Sequence, residues 1–227
     1  MATKKQFLVI WICCIIGAVA LVPYLYYLNI IPEISPLLIA FAFSQSTIIY
    51  GIVCFLSYLL VRRVDLQPFI FENPLRRIFF PGILWGIVLG FVIIGLEISV
   101  FQLPVTWHLP FWPGIFPALY EALSEEVFSR LFALTLIYFL VCKIFRNHEK
   151  YRPLLVWSSI IAAALLYALM PALVQFDATH SVFEMSRIFV PYTIGGIVFG
   201  WLYCTKGFWT AVTAHFTTNL IMDVFSS

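Results

Sequence analysis

Residues 78–101 read IFFPGILWGIVLGFVIIGLEISVF and include one ionisable side chain, Glu97. A hydrophobic stretch of about 20 residues is long enough to cross the hydrocarbon core of a bilayer as a helix. Similar stretches recur along the chain, and charged or proline-containing segments separate them. We therefore predict seven transmembrane spans, at residues 7–28, 36–61, 78–101, 117–142, 153–174, 187–204 and 208–225.

The composition agrees with a membrane protein. Of the 227 residues, 63% are hydrophobic and 11% are charged, whereas soluble domains are about half apolar and about one quarter charged. Seven spans of about 20 residues occupy most of the chain, so residues 1–227 are expected to form a single transmembrane domain. The fold class that follows is an all-α, polytopic bundle. The net charge of +2 and the absence of a basic cluster outside the loops speak against a nucleic-acid partner.

The basic residues predict the orientation of this bundle. Cytoplasmic loops of membrane proteins are enriched in lysine and arginine. Eleven of the 13 basic residues fall in alternate connections that would all lie on one side of the membrane: Lys4, Lys5, Arg62, Arg63, Arg76, Arg77, Lys143, Arg146, Lys150, Arg152 and Lys206. This distribution predicts a cytoplasmic N-terminus.

The fourth span carries an unusual polar load, with the sequence EALSEEVFSR from Glu121 to Arg130. Ionisable residues inside a membrane are costly and usually functional. Glu126 and Arg130 have the i, i+4 spacing of a helical ion pair, whereas Glu125 follows Glu121 on a neighbouring stripe with no basic partner. Glu125 therefore suits a general base or acid. The alternative is a buried ion pair that only fixes helix packing.

The last span provides a second polar stripe, with His215 and Asn219 at i and i+4. Taken alone, such residues are also typical of hydrogen bonds between membrane helices. Together with two glutamates in another span, they favour a site that orients water and stabilises an oxyanion.

At these residues the sequence resembles the CAAX protease and bacteriocin-processing family of intramembrane proteases, also called the ABI family. The first motif of that family, EExxxR, corresponds to residues 125–130, and its last motif, HxxxN, corresponds to residues 215–219. The resemblance covers about residues 115–225. The middle motif, FxxxH, has its best equivalent at Tyr167 to Pro171, where proline stands in place of histidine. His180, nine residues on, falls in the following loop.

The resemblance implies hydrolysis of a peptide bond in or beside the membrane. Glu125 would activate a water molecule, and His215 and Asn219 would hold the developing oxyanion. Glu126 would assist Glu125 or, with Arg130, hold the helix in register. Substrates implied in this way are membrane-associated peptides or lipidated proteins, and by analogy the host membrane is a bacterial plasma membrane.

No cofactor is expected, and zinc is the disfavoured alternative. Catalytic zinc usually has three protein ligands, commonly including two or three histidines, and His215 is the only histidine within the predicted spans. Two further functions stay open. One is a family member that has lost hydrolysis and acts as a membrane binding or scaffold protein. The other is a proton-linked transporter with a polar path through Glu97, Glu121, Glu125 and His215.

Overall fold

The computed structural model describes residues 3–27, 29–69, 75–102, 114–145, 149–174 and 181–225. Within these ranges the chain is helical and contains no strand. We number the helices α1 (Lys4–Tyr27), α2 (Pro36–Val61), α3 (Leu75–Ser99), α4 (Ile115–Ile144), α5 (Arg152–Val174), α6 (Val182–Lys206) and α7 (Phe208–Phe225). The predicted all-α bundle is confirmed.

Six of the seven helices, α1 to α6, are long and apolar enough to cross a membrane. Helix α7 does not meet this criterion, so the predicted seventh span at 208–225 is not confirmed. Their burial shows which of them form the centre of the bundle. In the most apolar part of α1 only 17% of the residues are buried, whereas the corresponding parts of α3 and α4 are 39% buried. The remaining apolar side chains face outwards, as expected where lipid is the solvent. The cytoplasmic N-terminus remains a prediction.

The largest deviation from the predicted boundaries is at α6, which begins at Val182 instead of residue 187. The predicted spans left Glu184 in the preceding connection, but it belongs to a capping box. The Ser181 hydroxyl accepts a hydrogen bond from the Glu184 amide at 3.2 Å, and the Glu184 carboxylate accepts one from the Ser181 amide at 2.6 Å. These two bonds satisfy free amides at the helix start and extend the helix.

Helix α7 is fixed against α3 by small residues. Gly82, Gly86 and Gly90 of α3 lie against α7, and a Cβ atom on Gly86 would come within 2.5 Å of the Ala214 carbonyl oxygen. The Thr218 hydroxyl also donates to the Gly86 carbonyl at 3.2 Å. Small residues permit this close approach of membrane helices. The packing holds α7, and with it His215, in a defined position.

Helix α4 contains a π-helical section, Val127–Leu134, directly after Glu126. Here the backbone bonds run from i to i+5, and the Thr135 hydroxyl adds a bond to the Arg130 carbonyl at 3.1 Å. Sequence spacing predicted a regular α-helix through this region. That prediction is wrong for these eight residues, which are π-helical. Sections of π-helix are rare and are frequently found at functional sites.

The segment between α2 and α3 anchors one end of the bundle through Asp65, Tyr138 and Arg152, which we call the outer cluster. The Tyr138 hydroxyl donates to the Asp65 carboxylate at 2.6 Å, and Arg152 forms an ion pair with the same carboxylate. Partial burial acts to raise the pKa of Asp65, but the hydrogen bonds and charge from Tyr138 and Arg152 outweigh it and hold that pKa below its ordinary value. The outer cluster thus ties α4 and α5 to the α2–α3 segment.

Candidate active site

Glu126 occupies the most enclosed position of the site, with none of its surface exposed. Its Oε1 atom lies 3.2 Å from Arg130 Nη1 and 3.0 Å from His215 Nδ1. The other oxygen, Oε2, has no hydrogen-bond partner among the described residues. An unpaired buried charge is very costly, so the carboxylate of Glu126 depends on its contacts to Arg130 and His215.

Arg130 is buried as well, with 2% of its surface exposed. Its guanidinium donates to the Ser129 hydroxyl and, at 3.4 Å, to the Gly196 carbonyl of α6. The guanidinium carbon also lies 4.6 Å from the centre of the Tyr167 ring, within the range of a cation–π contact. Arg130 therefore joins α4 to α5 and α6 in addition to pairing with Glu126. The ion pair predicted from sequence spacing is present.

His215 lies between the two glutamates. Its Nδ1 atom faces Glu126, and its Nε2 atom is 3.7 Å from Glu125 Oε2. The ring stacks on Phe199, with centroids 4.7 Å apart and planes inclined by 16°. This packing fixes the plane of the imidazole, so both nitrogens point to carboxylates from two successive positions of α4.

Glu125 differs from Glu126 in its access to open space, because a third of its side chain is exposed. Its Oε2 atom accepts a hydrogen bond from the Tyr167 hydroxyl of α5. A carboxylate that is both oriented and accessible can take part in proton transfer, which the enclosed Glu126 cannot do as readily.

Asn219 is one helical turn beyond His215. Its amide nitrogen lies 3.3 Å from Glu121 Oε2, so one N–H of the amide points to that carboxylate. An amide group has two N–H donors, and the second is available to another acceptor. Glu121 thereby orients Asn219, a relation that sequence spacing did not predict because the two residues are on different helices.

Two cavities adjoin at Glu125. The smaller one, of about 210 Å³, is lined by polar groups that include Glu121, Glu125, His215 and Asn219, and we call it the polar cavity. The larger one, of about 430 Å³, is lined mostly by apolar side chains such as Phe128, Leu166 and Met170, and we call it the apolar cavity. Three residues line both of them: Glu125, Tyr167 and Tyr192. Glu97 is not among the residues that line either cavity.

The middle motif of the sequence comparison falls on α5. Tyr167 reaches into the site, whereas Pro171 lines the apolar cavity and offers no hydrogen-bonding side chain. His180 lies outside the described residues. We did not predict Tyr167 as a site residue, although its place at the aromatic position of the motif was a usable signal.

In the described part of the chain, no three histidine, cysteine, aspartate or glutamate residues are arranged so that they could hold a metal ion together. His215, the one imidazole of the site, directs both ring nitrogens to glutamates. We therefore derive no step of the chemistry from a metal.

Six long apolar helices and a cluster of ionisable residues enclosed between them define an integral, multi-pass membrane protein with an internal polar site. A family model described as type II CAAX prenyl endopeptidase Rce1-like matches residues 106–221, about half of the chain. The protein belongs to this family of membrane-embedded CAAX-type proteases, which confirms the resemblance found in the sequence. No curated protein and no solved structure matches the chain.

Proposed function

We propose that the protein is an intramembrane endopeptidase that uses Glu125 to activate water and cleaves membrane-associated or lipidated peptides. The observation that carries this proposal is the position of Glu125. It is the more exposed carboxylate of the Glu125–Glu126 pair, it lies 3.7 Å from His215, and it is placed where the polar and apolar cavities adjoin.

In the first step, Glu125 takes a proton from a water molecule in the polar cavity as the water oxygen attacks the peptide carbonyl. A C–O bond forms and the carbonyl oxygen becomes an oxyanion. Glu125 then returns the proton to the amide nitrogen, the C–N bond breaks, and the products are an amine and a carboxylic acid, whose proton passes to the amine. A positioned general base of this kind contributes about 10²- to 10⁴-fold to the rate.

His215 and Asn219 are the proposed donors to the oxyanion. Asn219 retains one amide N–H when the other points to Glu121. The Nε2 atom of His215 can donate when the ring carries protons on both nitrogens. Donors fixed in advance around a developing charge are an effective source of catalysis.

The apolar cavity supports the proposed class of substrate. Its volume of about 430 Å³ is in the range of sites that enclose a small apolar ligand. An apolar side chain or part of a lipid chain in this cavity would place the adjoining peptide bond near Glu125.

The test is cleavage of one peptide sequence, with and without an attached lipid chain, by the purified protein in nanodiscs. We expect Glu125→Gln to lower kcat by about 10²- to 10⁴-fold. Glu97→Gln is the matched control, since it changes another intramembrane glutamate outside both cavities, and it should leave kcat within about twofold of the wild type. Equal rates for Glu125→Gln and wild type would contradict the proposal.

The same assay tests the absence of a cofactor. With glutamate as the base, a chelator should leave the rate unchanged. A loss of activity on chelation that added zinc restores would show instead that a metal takes part.

A second candidate is a family member without hydrolytic activity that binds a membrane partner. It is favoured by Pro171, which stands at the place of the motif histidine and cannot donate or accept a proton. If the wild type and Glu125→Gln are equally inactive and Pro171→His gains cleavage, this second candidate is the correct one.

For the orientation, we propose a cytoplasmic N-terminus in a bacterial plasma membrane. The one-sided distribution of lysine and arginine supports this orientation. A reporter that is active only outside the cytoplasm, fused before α1, should stay inactive, and activity of that fusion would reverse the orientation.

A further inference from the structure

Tyr167 of α5 is the one side chain that donates a hydrogen bond to Glu125 from another helix within the described structure. The middle motif has phenylalanine at this position, so it assigns no role to the hydroxyl. Its hydroxyl contacts Glu125 Oε2, 42 residues away in sequence. His215 Nε2 approaches the same oxygen. The hydrogen bond from Tyr167 is made to Oε2, so Oε1 is the oxygen of Glu125 that is left to accept a proton from water.

The ring of Tyr167 is held on several sides. The Arg130 guanidinium lies over one face at 4.6 Å, the Tyr192 ring lies 5.3 Å away, and the His215 ring lies 6.5 Å away at a steep angle. One turn earlier in α5, Ala164 packs directly on Gly196 of α6, where an added Cβ atom would lie 2.7 Å from the alanine Cβ. The phenol is therefore fixed before any substrate binds, and it cannot swing away from Glu125 at low cost.

Pro171, the motif position one turn further along α5, cannot donate a hydrogen bond to Glu125. Pro171 lies one helical turn after Tyr167, on the same cavity wall, and its side chain has no donor or acceptor. Within the described part of α5, Tyr167 is the residue that lines the polar cavity, and its hydroxyl is the group that reaches Glu125.

We propose that Tyr167 is a positioning residue that holds the catalytic carboxylate through Oε2 and directs Oε1 to the attacking water. This inference rests on the proposed function of Glu125. It predicts a specific effect on turnover, because the hydrogen bond orients the base and does not touch the substrate.

The test compares Tyr167→Phe with Tyr138→Phe. Each change removes one hydroxyl that donates to a carboxylate, but Tyr138 donates to Asp65 in the outer cluster, away from both cavities. We expect Tyr167→Phe to lower kcat by about 10- to 100-fold, the loss typical of a hydrogen bond to a charged group, with KM within about twofold. Tyr138→Phe should leave both constants unchanged. Equal effects of the two variants on kcat, or a change in KM alone, would overturn the proposal.

Infrared spectroscopy provides a readout that does not depend on cleavage. Tyr167→Phe should alter the carboxylate stretching bands of the protein in nanodiscs, and the same change in a Glu125→Gln background should not. Bands that are identical with and without the hydroxyl would contradict the contact itself. If the bands change as expected but the wild type cleaves none of the peptides, the proposed function fails while the contact between Tyr167 and Glu125 stands.

Discussion

The outer cluster and the candidate active-site residues use the same chemical groups in different surroundings. We call Glu125, Glu126, Arg130, Tyr167 and His215 the inner cluster. Both clusters contain an arginine, a phenol and at least one carboxylate. In the ion pair of the outer cluster, Arg152 and Asp65 are 51% and 50% exposed, whereas Arg130 and Glu126 of the inner cluster are 2% and 0% exposed.

This difference in exposure decides what the charges can do. Exposed ion pairs are screened by solvent and contribute little to stability. In an enclosed pair, by contrast, each charge depends on its partner, because burial keeps bulk solvent from replacing that partner. The outer cluster is thus suited to joining chain segments, and the inner cluster to chemistry that requires a defined arrangement of charge.

The largest expected difference between the clusters is in the removal of the arginine. Arg130→Met leaves Glu126 buried beside His215 alone, and we expect it to lower the free energy of unfolding by about 3–5 kcal/mol. Arg152→Met, the matched change in the outer cluster, should cost about 1 kcal/mol or less. Thermal or chemical unfolding in one detergent measures both. Equal losses would show that exposure does not distinguish the clusters.

Salt should affect the two clusters differently. The distance over which exposed charges interact falls from about 10 Å at 0.1 M salt to about 3 Å at 1 M. We expect the stability difference between wild type and Arg152→Met to shrink over this range. The difference between wild type and Arg130→Met should change much less, and a parallel decrease would mean that salt solution reaches the inner cluster.

The smallest expected effect is the change with pH in the stability that the outer cluster contributes. Because the pKa of Asp65 is lower in the folded protein than in the unfolded chain, its contribution to stability is complete above the unfolded value of about 3.9. That contribution is lost as the pH falls through the folded pKa. The stability difference between wild type and Asp65→Asn should therefore decrease in acid, by at most about 1 kcal/mol. A difference that grows on acidification would reverse the assigned sign.

The helices and the Glu126–Arg130 pair could be predicted from sequence because both depend on local pattern. Long apolar runs identify the spans, and i, i+4 spacing identifies the pair. The π-helical section has no such signal, since Val127–Leu134 is composed of residues that suit an ordinary helix.

Contacts between distant segments escaped prediction for a different reason. Tyr167 and Glu125 meet only because α5 packs beside α4, and Asn219 meets Glu121 only because α7 packs beside α4. The earlier start of α6 at Val182 was missed because the predicted span was placed at 187–204, and the capping box of Ser181 and Glu184 was not considered. Capping boxes have a sequence signature that could have shown this.

The π-helical section also sets the rotational phase between the two clusters. Its eight residues separate Glu125 and Glu126 in the first half of α4 from Tyr138 in the second half. Each residue of an α-helix turns the chain by about 100°, so deletion of one residue from Val127–Leu134 would rotate one half of α4 against the other. The helix could then present correctly either Glu125 to the polar cavity or Tyr138 to the outer cluster, but not both at once.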